Sequence, residues 1–293
     1  MIASCISIAM LPMPAIGAQG ASLIPDFSGT WGRNSLDFET APSGHAPVTN
    51  IKRLPSGTSD QSARVGDFKN PILRPNAAEI VKRRGEISLS GTTFPDPSNQ
   101  CWPYQPLYDF AFQFQTQILQ QKDQITIIYD RNHEVRRVRM NQSHPARAIP
   151  SWMGDSVGHY EGDTLVVDTI GIKVGPYSMV DLYGTPFTEH LHVVERYRLI
   201  DGQTAKVVAE RSERVNGHVR GSTDIVDLDL NHQEKGLQVQ FMVEDEGVFT
   251  TSWSASVTYR RTKGKWEEVI CAENPREFSG KTADLPKADK PDF

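Results

Sequence analysis

The sequence predicts a mainly β protein, an antiparallel up-and-down barrel of about 8–10 strands, and three observations carry that reading. Apolar and polar residues alternate at period two in run after run, as on half-buried strands. Turn residues punctuate the runs at hairpin spacing, with Glu161-Gly162-Asp163 and Asp201-Gly202 the strongest signals. Helical periodicity is confined to 76–84, where Pro75 and Asn76 open a short helix with Ala77, Ile80 and Val81 on one side and Gly85 closes it.

From the start of the chain, 1–18 is uncharged and apolar, with small residues at its end, and is expected to be a secretory signal peptide although it lacks a positive start. The remainder, 19–293, is expected to form a single barrel domain in a periplasmic or secreted protein. No later run is apolar enough to span a bilayer. Losing the leader removes Cys5 and leaves Cys101 and Cys271, which in an oxidising compartment are expected to form one disulfide. A net charge of -5 without a Lys/Arg block argues against nucleic acid as a partner.

Gly29-Thr30-Trp31 is similar to the Gly-x-Trp entry of lipocalin-type barrels. From about 42 to 107 the chain reads as a loop-rich excursion over the barrel, rich in Ser, Pro, Gly and Thr up to 67 and in prolines from 92 onward. Tyr108, Phe110, Phe112 and Phe114 follow at period two, so 110–119 reads as a strand with an aromatic face. In a barrel that face is both core and cavity wall, which makes Tyr108, Phe110 and Phe112 candidate ligand contacts, with Trp152, Tyr160, Arg196 and Trp253 beside them. Further strands are expected at 124–129, 134–140, 164–170, 190–199, 204–211, 222–228, 236–243 and 252–261. An edge strand would allow a homodimer.

The stretch 144–198 gathers four of the eight histidines, His144, His159, His190 and His192, with Asp155, Asp168 and Glu195. Alternation puts Leu165, Val167 and Thr169 on one face of a strand and Asp168 on the other, between Val166 and Ile170. On the next strand His190, His192 and Arg196 share one face, whereas Glu195 is the lone charge in an apolar row and needs a basic partner nearby. His159 shares the face of Asp155. Two histidines two apart also suit metal ligands, although no metal is assigned.

The segments 150–169 (PSWMGDSVGHYEGDTLVVDT), 191–198 (LHVVERYR) and 271–274 (CAEN) resemble a largely uncharacterised family of secreted bacterial β proteins. The likeness covers roughly 27–278 and implies a secreted, mainly β protein, with no residue set of settled role to carry across. Tyr160 and Tyr197 stand where that family usually has a Trp and another aromatic.

No hydrolase, zincin, nucleotide or dinucleotide signature is present, and no cofactor is expected. The chemistry left open is proton transfer. A cofactor-independent lyase, isomerase or hydrolase would act on a small apolar or aromatic molecule in the barrel cavity. One of His144, His159, His190 or His192 would be its base and Asp155, Asp168 or Glu195 the orienting acid. The rival is a non-catalytic periplasmic binding protein for an apolar ligand.

Overall fold

A computed structural model describes residues 24–217, 226–264, 266, 270 and 271, so the expected leader and most of the strand expected at 222–228 lie outside the described residues. The elements run β1 (Gly29–Gly32), β2 (Glu39–Thr40), α1 (Pro75–Leu89), α2 (Pro106–Phe110), β3 (Gln115–Gln120), β4 (Gln124–Tyr129), β5 (Val135–Met140), β6 (Asp155–Glu161), β7 (Thr164–Ile170), β8 (His192–Ile200), α3 (Gly202–Asn216), β9 (Gly236–Glu244) and β10 (Trp253–Arg261). The sheet order is β1-β3-β4-β5-β6-β7-β8-β9-β10-β2, and β1 also pairs with β10, which closes the strands other than β2 into a barrel. The fold is therefore a mainly β closed barrel with few helices, consistent with a lipocalin-like architecture.

One junction departs from up-and-down order: β5 and β6 are parallel, joined only at Val138↔Ser156, Arg139↔Val157 and Met140↔Gly158. A parallel neighbour needs a crossover, and residues 141–154 supply it as a loop in place of the usual helix. Closure leaves β2, two residues long, as the strand outside the ring, so the edge expected for a homodimer offers little backbone.

One expected strand is a helix and another begins late. The segment 204–211 lies inside α3, and Asp201, read as half of a hairpin turn, caps that helix by accepting from Thr204 N at 2.8 Å. Gly202 is required there for space, since a Cβ would lie 2.2 Å from Glu234 O. The strand expected at 110–119 begins only at Gln115, because Pro106 starts the one-turn helix α2 that carries Tyr108 and Phe110. In α1, Gly85 does not end the helix, which runs on to Leu89 with Gly85 facing Val65 too closely for a side chain.

The excursion is packed, not loose: Val48, Val65, Ile72 and Val81 are all buried. Cys101 and Cys271 are bonded, with Cα atoms 5.3 Å apart across a separation of 170 residues. Cross-linking a loop of that length is worth up to about 5 kcal/mol through the entropy of the unfolded chain.

The barrel bore is tightly packed around Phe110, Tyr129, Tyr197 and Tyr259. The expected cavity shrinks to a void of about 10 Å³, bounded by Phe110, Tyr129, Tyr197, Tyr259 and aliphatic neighbours. Tyr108, Phe110, Phe112 and Trp253 are core side chains at 7% exposure or less; Phe110 and Trp253 both pack on Phe241. They are not walls of a ligand chamber.

At the centre of the bore lies Arg136, 1% exposed, with Glu195, fully buried. Arg136 donates to both Glu195 oxygens at 2.9 and 2.7 Å, to Thr169 Oγ1 at 2.6 Å and from Nε to Ser156 Oγ at 3.0 Å. Tyr197 OH donates to Glu195 at 2.5 Å. Burial is the largest single influence and would depress the Arg136 pKa, but the field and hydrogen bonds of Glu195 together with Tyr129 and Tyr197 outweigh it and the group is held protonated. Glu195→Ala leaves a buried uncompensated guanidinium and should cost about 3–5 kcal/mol in urea unfolding, whereas Arg136→Met combined with Glu195→Leu should cost far less. A double variant as unstable as the single one contradicts this assignment.

Candidate functional site

The same alternation that points Glu195 inward points Asp168 and His192 outward, where they meet His144, which in turn meets Asp155. Arg139 of β5 holds Asp155 of β6 in a bidentate pair at 2.7 and 2.9 Å. Asp155 Oδ1 lies 2.6 Å from His144 Nδ1, and His144 Nε2 lies 3.2 Å from Asp168 Oδ1. Asp168 Oδ1 also meets His192 Nε2 at 3.0 Å, and His192 Nδ1 reaches Glu244 of β9 at 3.4 Å. A chain of alternating base and acid thus runs across the outer face from β5 to β9.

The sheet register dictates this order. Asp168 pairs directly with Val194, which places His192 on the diagonal, within reach of a long side chain. His144 comes from the crossover loop, where Asn141 turns the chain with φ 54° and donates from its backbone to Gly158 O. The parallel junction is what brings that loop over β6 and β7.

Each ring nitrogen of His144 and of His192 faces a carboxylate oxygen. For His192 the bond to Asp168 is the largest influence and raises the pKa above the ordinary 6.5 against the effect of partial burial. Asp168 is held below its ordinary value chiefly by His192. Its two aliphatic neighbours do not leave it unanswered, because donors meet it from two elements.

The other expected site residues do not join this chain. His159 is exposed and touches Glu161 at 3.1 Å, and Arg196 pairs with the same Glu161. His190 is exposed ahead of β8, not on it, so the two-apart pairing with His192 on one strand face does not form. Glu195 belongs to the bore. Tyr160 accepts from Gln120 at 3.0 Å, and Trp152 lies half-buried under Lys173 beside Trp102. Among the described residues no group of three or more His, Cys, Asp or Glu is arranged to hold a metal ion.

Beside the chain a groove of about 480 Å³ opens where β5 and β6 splay, bounded by Val135, Arg137, Arg139, Met153 and Asp155. β6 pairs only with the last three residues of β5, so the wall parts below Val138. Arg137 and Met153 were not singled out from the sequence. The run Arg136-Arg137-Val138-Arg139 marks the spot, because alternation sends Arg136 inward and Arg137 and Arg139 outward. No protein-family model, curated protein or solved structure matches the chain.

Buried acids add to the pH response. Asp37, 3% exposed and accepting from Tyr183 OH, is pushed up to about 6 by burial, and burial likewise lifts Asp130 to about 6. A folded pKa above the unfolded one gives stability that is complete below the unfolded value and lost as pH rises through the folded one. Asp37, Asp130 and His192 share that sign, while Asp168, held low, contributes stability that is present above its ordinary 3.8 and lost as pH falls below it. Tm should fall from about pH 5 to about pH 8, with Asp37→Asn flattening the lower part and His192→Gln the part above about 6.5. A Tm that climbs over this interval refutes the assignment.

Proposed function

We propose that the protein is an exported, non-catalytic binding protein that holds a small amphiphilic acid in the groove over the β5/β6 junction. The observation that carries this reading is Arg137, whose guanidinium stands in the groove with no carboxylate paired to it among the described residues. Val135 and Met153 beside it offer apolar surface to the body of such a molecule, and Arg137 offers a fork to its acid. The tightly packed bore supports a ligand held outside the barrel. The commitment of both nitrogens of His144 and His192 to acids supports binding without turnover, since a general base needs a nitrogen free for the substrate.

The bonded cysteines support an oxidising compartment, and no helix among the described residues is long and apolar enough to cross a membrane. The resemblance to secreted bacterial β proteins agrees with export.

One observation favours acid/base catalysis as a second reading. Asp155 both borders the groove and touches His144 at 2.6 Å, so a bound molecule that displaced it would meet an imidazole. Calorimetric titration with octanoate separates the two. Binding readings expect a saturable complex that Arg137→Gln weakens about 10-fold, the worth of a charge-assisted bond. Equal affinity in that variant removes the groove as the site, and conversion of a bound acid that stops in His144→Gln would install the catalytic reading instead.

A further inference from the structure

A second cleft, of about 350 Å³, lies between the excursion and the C-terminal end of α1, at residues the groove does not share. Its size is at the small end of ligand pockets, which suits one ring and not a polymer. The lining is hydrophilic, with Ser62, Ser88, Thr92 and Thr93 presenting hydroxyls and Arg64 the positive charge.

Two carboxylates adjoin the lining: Asp60, which accepts from Ser62 Oγ at 2.6 Å, and Asp96. Asp96, the carboxylate in the wall, is buried and committed to its own turn: it accepts from Ser98 Oγ at 2.7 Å and from Asn99 N at 2.9 Å. Asn99 tightens the turn by donating to Phe94 O at 2.9 Å. Arg64 has no paired carboxylate among the described residues. Behind Phe94 stands a second guanidinium, Arg84, 5.2 Å from the ring centroid and in the field of the buried carboxylates Asp181 and Asp96. Below the turn the hydroxyls of Tyr104 and Tyr108, both buried, close no hydrogen bond of normal geometry, and Ser98 at the cleft wall is the side chain facing both.

An unpaired guanidinium in the lining of a hydroxyl-rich hollow calls for a ligand that is anionic at one end and hydroxylated elsewhere. An apolar acid would waste the hydroxyls, and a neutral sugar would leave Arg64 unanswered. We infer that this cleft binds a small polyhydroxylated carboxylate, a sugar acid, with its acid on Arg64 and its hydroxyls against Ser62, Ser88, Thr92 and Thr93. This site stands independently of the groove over the β5/β6 junction.

Calorimetry on the full chain tests it with glucuronate, glucose and inorganic phosphate as probes. Glucuronate should bind, and glucose at least about 10-fold more weakly, as expected for loss of a charge-assisted bond. Arg64→Gln should weaken glucuronate by a similar factor at unchanged Tm, while Arg137→Gln should leave it alone. Absent glucuronate binding at millimolar concentration, or equal binding by Arg64→Gln, overturns the site. Loss through Arg137→Gln alone would transfer the acid to the groove and overturn it too, and phosphate binding as tightly as glucuronate overturns the sugar-acid assignment.

Discussion

The buried pair of Arg136 and Glu195 is the constraint around which the barrel is arranged. Desolvating two charges costs several kcal/mol each, and the cost is tolerable only if every polar atom is answered. Ser156, Thr169 and Tyr197 do so from β6, β7 and β8, so one guanidinium on β5 ties together the strands on both sides of the parallel junction. That junction has only three paired positions, and the internal network supplies cohesion that its short ladder lacks. The same network, packed among Tyr129, Tyr197 and Tyr259, occupies the space in which a ligand-carrying barrel would hold its guest.

The pleat writes a second polar chain on the reverse of the same strands. Arg139, Asp155, Asp168, His192 and Glu244 alternate with inward neighbours from β5 to β9, and the crossover loop inserts His144 into their middle. Inside, the ion pair is buried and Arg136 is held protonated. Outside, the links are partly exposed, and Asp168 holds His192 above its ordinary pKa. A single architecture thus carries a fixed internal clamp and a titratable external one, with open clefts beside or beyond the latter.

Much of this was legible from alternation alone. Period two correctly separated Leu165, Val167 and Thr169 from Asp168, and it correctly sent Glu195 into an apolar row with a need for a basic partner. What alternation lacks is volume and distance. It cannot say that the bore is closed by large side chains, nor that the partner of Glu195 comes from β5, across the interior, instead of from an adjacent strand. The aromatic series Tyr108 to Phe114 misled because one helical turn starting at Pro106 and the bend after it bury rings at alternate positions without forming a ladder. Before α3 the pair Asp201-Gly202 suggested a hairpin, yet the Ala, Lys, Glu and Arg that follow favour helix once Asp201 caps the turn. Arg64 carried no local signal and Arg137 stood only within the run Arg136 to Arg139, since an unpaired surface arginine becomes informative only when a concave neighbour is seen.

The most direct test of the tightly packed bore is a crystal structure determined under xenon pressure, because xenon enters dry apolar cavities and a void of about 10 Å³ is too small to admit it. The account predicts no xenon between Phe110, Tyr129 and Tyr197. A well-occupied xenon atom at that position would contradict it and return the interior to the list of ligand sites.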